Sequence, residues 1–133
     1  MYFYYQGATN NGKLKANANI GTQNVLNRHI GDLSYNTLAK NRCTLYIGCK
    51  TGLTYTTNSG TSHNLVESTY NKGTHFVLGT TQETYRSQTD TWITAFFEKM
   101  YLGGTIRECV DFANDAQSIG SLYQLGDDTV KLK

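Results

Sequence analysis

The sequence has no proline, only three cysteines among 133 residues, and no apolar run that could cross a membrane. A membrane span needs about 20 consecutive apolar residues. The opening Met-Tyr-Phe-Tyr-Tyr has neither the basic flank nor the long apolar stretch of a signal peptide. Three cysteines without paired spacing form neither a disulfide framework nor a zinc motif. We therefore expect a single cytoplasmic domain over residues 1–133, with free thiols, no cofactor, no metal and no membrane contact.

Charge is sparse and unevenly distributed. Residues 1–52 hold six Lys/Arg against the single acid Asp32, whereas residues 53–133 hold six against nine. The basic residues are dispersed among Asn and Thr without a platform of exposed aromatic side chains on which bases could stack, so we expect no nucleic acid partner. The glycines at 7 and 103–104 lack the strand and helix context of a phosphate-binding loop.

The central feature is the run 42–52, Arg-Cys-Thr-Leu-Tyr-Ile-Gly-Cys-Lys-Thr-Gly, in which a short apolar segment ends at a cysteine. The Leu-Tyr-Ile segment predicts a strand near 44–48 that is covered on both faces. Catalytic groups and ligands of open α/β sheets lie at the carboxyl ends of strands. Cys49 is therefore the candidate nucleophile, whereas Cys43 and Cys109 carry no comparable signal.

The remaining pattern predicts alternating strands and helices. Further strands are expected near 2–6, 74–79 and 121–125, and helices near 22–31, 63–71, 89–102 and 105–117. The Asn- and Gly-rich residues 8–21 predict a long loop. His29 lies on the apolar face of the first helix and is predicted to be a packed core residue.

The helix boundaries carry local signals. Ser62 is the expected N-cap of the second helix, and Gly73 its C-terminal glycine. Thr105 and Glu108 have the spacing of a capping box at the start of the last helix. Because a parallel sheet needs cover on both faces, we expect the first three strands to be parallel, with helices on either side.

Three short motifs in this order resemble the C-terminal part of the caspase-like cysteine peptidases, above all the clostripain, gingipain and CHAT-domain branches. They are Gly48-Cys-Lys-Thr-Gly52, the segment 71–79 (Asn-Lys-Gly-Thr-His-Phe-Val-Leu-Gly), and the closing Gly-Asp-Asp-Thr-Val-Lys-Leu of 126–132. The resemblance implies a three-layer α/β/α sandwich whose sheet is mostly parallel with an antiparallel last strand. It also implies a peptide or protein ligand, and backbone amides near Gly7 and Cys49 that stabilise an oxyanion.

Two departures from the family pattern matter. The family's catalytic histidine would follow the first strand, where this chain has Gly7 and Ala8, and Ala8 precedes Cys49 by 41 residues. In caspases the separation is about 50 residues. In addition, the first two strands of the family's six-stranded sheet have no counterpart. Strand 2–6 would then be an open edge, and we expect it to form a homodimer or to be covered by a missing N-terminal segment.

The resulting prediction is a caspase-like cysteine endopeptidase domain, a hydrolase fold that is catalytically inactive because Ala8 replaces the histidine. A free thiol is only a few per cent ionised at neutral pH and needs a base, for which His63 is the best remaining candidate. The alternatives are a non-catalytic interaction module of the same fold, a truncated or engineered peptidase, and a generic α/β domain with a structural cysteine.

Overall fold

The computed structural model describes residues 2–10, 13–15, 24–26, 30–56 and 59–133, with the backbone alone for the first three ranges and for Tyr55. Its elements are β1 (Tyr2–Asn10), β2 (Lys13–Lys15), β3 (Asn24–Leu26), β4 (Cys43–Cys49), β5 (Tyr55–Thr56), β6 (Ser62–His63), α1 (Leu65–Tyr70), β7 (Phe76–Thr80), α2 (Arg86–Tyr101), α3 (Ile106–Ala116) and β8 (Leu122–Gly126). The chain is thus of the mixed α/β class.

A six-stranded sheet in the order β3-β2-β1-β4-β7-β8 forms the centre of the molecule. β4 is parallel to both of its neighbours, β1 and β7, while β8 is antiparallel to β7. The expected parallel arrangement of the first three predicted strands and the antiparallel last strand are therefore found. Because β2 and β3 also pair antiparallel, the sheet is mixed rather than mostly parallel. A separate two-stranded ribbon joins β5 to β6.

The larger hydrophobic cluster lies between the sheet and the helix pair α2 and α3. Alternate residues of β4, Cys43, Leu45 and Ile47, contribute to it from the sheet. Trp92 and Phe96 contribute from α2, and their rings stack at 5.5 Å between centroids. The period-two alternation of a strand places these β4 side chains on one face. Trp92 and Phe96 are core residues, as the periodicity of α2 predicts, and Phe97 packs against the cluster. The prediction is wrong for Tyr101, which is 69% exposed.

A smaller cluster includes Tyr46 of β4, Val77 of β7, and Leu65 and Val66 of α1. Tyr46 lies between Leu45 and Ile47 in sequence, so its side chain belongs to the opposite face of the strand. Residues 43–48 are all buried, in agreement with the predicted strand covered on both faces.

Local capping defines the helix ends. The N-cap of α1 is Asn64, whose side chain accepts hydrogen bonds from Val66 N and Glu67 N, so the prediction of Ser62 as the cap is wrong. An amide side chain next to the apolar run satisfies these donors more directly than a serine two residues earlier. Gly73 has a φ of 105°, as its predicted role at the helix end requires.

The capping box of α3 is confirmed. Thr105 N donates to Glu108 Oε2 over 2.8 Å, and Glu108 N donates to Thr105 Oγ1 over 3.3 Å. The hydrogen bond from the Thr105 amide lowers the pKa of the Glu108 carboxyl.

Two predictions in the N-terminal part are wrong. Residues 24–26 form β3 rather than part of a helix over 22–31, because they pair with β2, which local periodicity does not reveal. The expected loop over 8–21 is partly strand, since β1 continues to Asn10 and Lys13–Lys15 forms β2. His29, assigned to the predicted helix, lies outside the described residues.

Candidate active site at the end of the central strand

The parallel register of β1 and β4 brings the two positions singled out in the sequence next to each other. Ala8 is the partner of Cys49 in this register, and Gly7 is the partner of Gly48. Neighbouring strands lie about 4.8 Å apart. The backbone of Ala8 is therefore adjacent to that of Cys49, where both strands approach the carboxyl-terminal edge of the sheet.

A tight turn follows Cys49. Lys50 has a φ of 57°, in the left-handed region that residues other than glycine seldom occupy. Its N–H donates to Gln82 O over 3.0 Å, and Leu53 N donates back to Lys50 O over 3.3 Å. These bonds fix a turn immediately after Cys49 and join it to the residues that follow β7.

Two buried threonines, Thr51 and Thr80, hydrogen-bond to carbonyl groups of β4 close to this turn. Thr51 Oγ1 donates to Tyr46 O over 2.5 Å, and Thr80 N donates to Thr51 Oγ1 over 2.9 Å. Thr80 Oγ1 donates to Gly48 O. A buried hydroxyl group without a hydrogen-bond partner costs free energy. Movements that would break these hydrogen bonds are therefore disfavoured, which makes the site more rigid. The carbonyl group that precedes Cys49 is thus held by a threonine side chain, and the amide group that follows it is held by the backbone of Gln82.

The loop between β7 and α2 lies across the thiol. Cys49 Sγ donates to Thr84 O over 3.4 Å and accepts from Thr84 N over 3.5 Å, and Thr84 Oγ1 is 3.9 Å from the sulfur. Lys50 Nζ is 3.1 Å from Glu83 Oε1, which joins the turn to the same loop. Thr84 was not identified from the sequence, because Thr-Gln-Glu-Thr-Tyr has no motif that assigns it to the end of another strand.

Exposed apolar side chains occur near the thiol as well. Tyr85 follows Thr84 directly and has 76% of its surface exposed, and Leu53, in the turn after Cys49, has 45% exposed. Cys49 itself is half-buried. Cys49 is therefore only partly shielded from solvent, and exposed apolar side chains occur in the two segments that adjoin it.

The two histidines in the described part of the chain, His63 and His75, lie at opposite edges of the sheet. His63 ends β6, next to Asn64, whose Nδ2 donates to Gly52 O over 3.1 Å. It therefore lies at the same edge of the sheet as Cys49, although the contacts described for the thiol are with Thr84. His75 precedes β7 at the opposite edge, where Nε2 donates to Ala39 O over 3.1 Å. The length of β4, about 20 Å, separates it from Cys49.

None of the three cysteines forms a disulfide bond, and two of them are buried. Burial raises the pKa of Cys43 to about 12 and that of Cys109 to about 11. A thiol with such a pKa is not ionised at neutral pH and acts as a small apolar side chain. This agrees with the interpretation of Cys109 as a packing residue and leaves Cys49 as the candidate for chemistry.

Within the described ranges, no group of three or more His, Cys, Asp or Glu side chains is arranged to hold a metal ion. No helix in the same part of the chain is both long and apolar enough to cross a membrane.

Comparison with known proteins leaves the chain unassigned. No family model matches it, and no curated protein matches it. The relationship to caspase-like peptidases is therefore a hypothesis that depends on the motifs of the sequence.

Proposed function

We propose that this chain is a caspase-like cysteine endopeptidase domain that is catalytically inactive, with Ala8 at the position of the family histidine. The observation that carries the proposal is the register of β1 and β4, in which Ala8 is the partner of Cys49. Nucleophile and base must lie within hydrogen-bond reach of each other. The backbone of a histidine at position 8 would therefore lie next to that of the nucleophile.

The alanine explains the proposed loss of activity. A free thiol has a pKa near 8.5, so only a few per cent is thiolate at neutral pH unless a base or a positive charge assists it. In peptide hydrolysis the base also returns a proton to the leaving amine. A methyl group at position 8 performs neither task.

In this proposal the domain is the C-terminal part of a three-layer caspase-like sandwich in the cytoplasm, and it retains the binding side of the site. Core clusters on both faces of β4 support the layered fold. Exposed Tyr85 and Leu53 beside the half-buried thiol suit an extended peptide or protein segment. The domain would therefore hold a peptide without cleaving it, as a non-catalytic interaction module.

The test restores the base. We expect Ala8→His to raise the rate at which iodoacetamide alkylates Cys49 by about tenfold at pH 7, because the thiolate fraction rises from a few per cent towards one half or more. Site-specific labelling is followed by peptide mass spectrometry. Peptide hydrolysis is assayed in parallel, and Cys49→Ala should abolish any that appears.

Ala39→His is the matched control. It introduces the same side chain at an exposed position beside His75, at the far edge of the sheet, and should leave the alkylation rate unchanged. Cleavage of peptides by the unaltered chain at an ordinary enzymatic rate would contradict the proposal. So would an unchanged alkylation rate in Ala8→His, and His63→Ala would then show whether His63 assists the thiol.

A structural role for Cys49 is the second candidate, because Thr84 both donates to the sulfur and accepts from it. In that case Cys49 fixes the loop between β7 and α2. Urea denaturation of Cys49→Ala and Cys49→Ser, together with the alkylation rate of Ala8→His, separates the two functions. A structural cysteine predicts that Cys49→Ala lowers stability, that Cys49→Ser largely preserves it, and that Ala8→His has no effect on thiol reactivity.

A further inference from the structure

A groove of about 450 Å³ runs between α2 and α3, and the proposed peptidase-like site does not use it. Its lining includes the buried Ala95, the exposed Ala116 and Phe112, which has 40% of its surface exposed. Small side chains between two packed helices leave a channel where larger ones would fill the space. The channel is open to solvent along its length.

The threonines that line the groove present little polarity to it. Thr91 Oγ1 donates to Ser87 O over 3.0 Å, and Thr94 Oγ1 donates to Asp90 O over 2.7 Å. Both hydroxyls are thus satisfied by the carbonyls of their own helix, and such back-bonding leaves the methyl group as the available contact surface. The lining is consequently more apolar than its composition indicates.

Carboxylates mark both ends of this apolar surface. Asp90 and Glu98 line the groove eight residues apart on α2, which corresponds to about 12 Å at 1.5 Å per residue. Arg86 Nε lies 3.7 Å from Asp90 Oδ2 in an exposed pair. Within the described part of the chain, the Glu98 carboxylate makes no hydrogen bond or ion pair. The side chain of Lys99, the next residue in the sequence, packs against Gly104.

We propose that this groove binds an amphipathic helix of a partner protein, with a narrow apolar face and Lys or Arg residues two turns apart. A helix fits a channel between two helices and contacts it through residues at positions i, i+3, i+4 and i+7. Basic residues at positions i and i+7 or i+8 would reach Glu98 and Asp90 while the apolar residues between them cover Phe112. The carboxylates also disfavour an anionic membrane surface as the occupant.

The probe is a fluorescein-labelled helical peptide of about 16 residues, long enough to hold helical structure. It carries two lysines seven residues apart, with leucine and alanine between them on the same face. Fluorescence anisotropy measures its affinity for the full chain at low salt. A second peptide has glutamate in place of both lysines, and a third has the same composition in shuffled order. We expect measurable binding of the first peptide alone, weakening as salt screens the charges.

Two charge reversals test the location of the site. Glu98→Lys should weaken binding of the basic peptide by about tenfold, because it replaces an attractive contact by a repulsive one. Asp111→Lys changes the net charge equally at an exposed acid of α3 outside the groove, and should change affinity by less than about twofold. Circular dichroism confirms that both variants remain folded.

The proposal is overturned if the lysine peptide does not bind at millimolar concentration, if the glutamate peptide binds equally well, or if both reversals weaken binding to the same extent. It is also overturned if the protein forms a dimer that Glu98→Lys dissociates, because the groove would then belong to a second copy of this chain. Selective loss in Glu98→Lys alone supports it.

Discussion

The three cysteines show how position gives one residue type different chemistry. Cys43 and Cys109 are in the apolar cluster beneath α2 and α3, where burial keeps the thiol protonated. Cys49 is the last residue of β4 and has main-chain groups of Thr84 within hydrogen-bond distance of its sulfur. Cys43 and Cys49 lie at the two ends of the same strand. Their thiols differ because the first end is buried in the core and the last residue is only half-buried.

We predict that Cys43 makes the protein less stable at alkaline pH. Its pKa is about 12 in the folded state and about 8.5 in the unfolded chain, so between these values only the unfolded state loses the proton. The contribution of the Cys43 thiol to the free energy of unfolding is therefore fully present below about pH 8.5. Above that pH it falls by about 1.4 kcal/mol per pH unit. Urea denaturation at pH 7, 9 and 10 measures the free energy of unfolding.

The matched protein is Cys43→Ala. It should be less stable at pH 7 because of the cavity, yet it should lose about 2 kcal/mol less than the unaltered chain between pH 7 and pH 10. Tyr46, whose pKa burial also raises to about 12, remains in both proteins and contributes equally. Parallel stability curves for the two proteins would show that the Cys43 thiol does not titrate as stated.

The sequence predicted Cys49 as a site residue but not Thr84, and the reason is physical. A short apolar run that ends in Gly-Cys-Lys-Thr-Gly is a local signal for a strand end. Which loop covers that end depends on strand order, and the pairing of β4 with β7 is a contact between distant parts of the chain. Polar residues in the covering loop look the same as those in any solvated turn.

At the level of elements, the turn after β4 depends on the close approach of two glycines. A Cβ atom added to Gly52 would lie 2.8 Å from Gly79 O, and one added to Gly79 would lie 2.8 Å from the Gly52 Cα. Gly52 N also donates to Thr80 O over 2.7 Å. The segment following Cys49 therefore crosses directly over β7, and no side chain fits between them.

We expect Gly52→Ala to destabilise the protein by about 1–3 kcal/mol, because backbone rather than a flexible side chain must move. Thermal unfolding followed by circular dichroism measures the change. Gly31→Ala is the control, since a Cβ there has no heavy atom within 4 Å. Equal melting temperatures for Gly52→Ala and the unaltered chain would contradict the close packing.

Elements with a strong internal pattern were predicted well, and those defined by pairing were not. The broad apolar stripe of α2 and the capping box of α3 are contained in a few turns of sequence. β3 has only three residues, and its conformation depends on β2. The spacing of Leu26, Ile30 and Leu33 fitted a helix, but three apolar residues also occur at that spacing in a short strand and the chain that follows it.

At the scale of the whole molecule, the strands that pair with β1 determine how much of its backbone can pair with another chain. β4 pairs with Tyr2–Ala8 on one side, whereas β2 pairs with β1 only from Ala8 to Asn10 on the other. Among the described strands, none pairs with residues 2–7 on that second side. β2 therefore pairs with β1 beyond the predicted edge of residues 2–6, which has no partner on that side among the described strands.

This edge should associate with a second copy of the chain. Its sequence, Tyr-Phe-Tyr-Tyr-Gln, is uncharged and aromatic and has no proline or lysine, the residues that protect natural edge strands from pairing. We expect a homodimer at micromolar concentrations, with slow hydrogen exchange of the amides in residues 2–6. Size-exclusion chromatography with light scattering measures the mass over a range of concentrations.

Tyr4→Lys places a charge in the middle of that edge and should shift the dimer towards monomer, raising the dissociation constant by about tenfold or more, because a lysine would have to be buried or repelled at the new strand pair. Tyr35→Lys is the matched control, since it makes the same change at a tyrosine that is 81% exposed in another part of the surface. A monomer at every concentration with freely exchanging amides in residues 2–6 would exclude pairing through β1. Equal dissociation by both variants would place the interface at another surface of the protein.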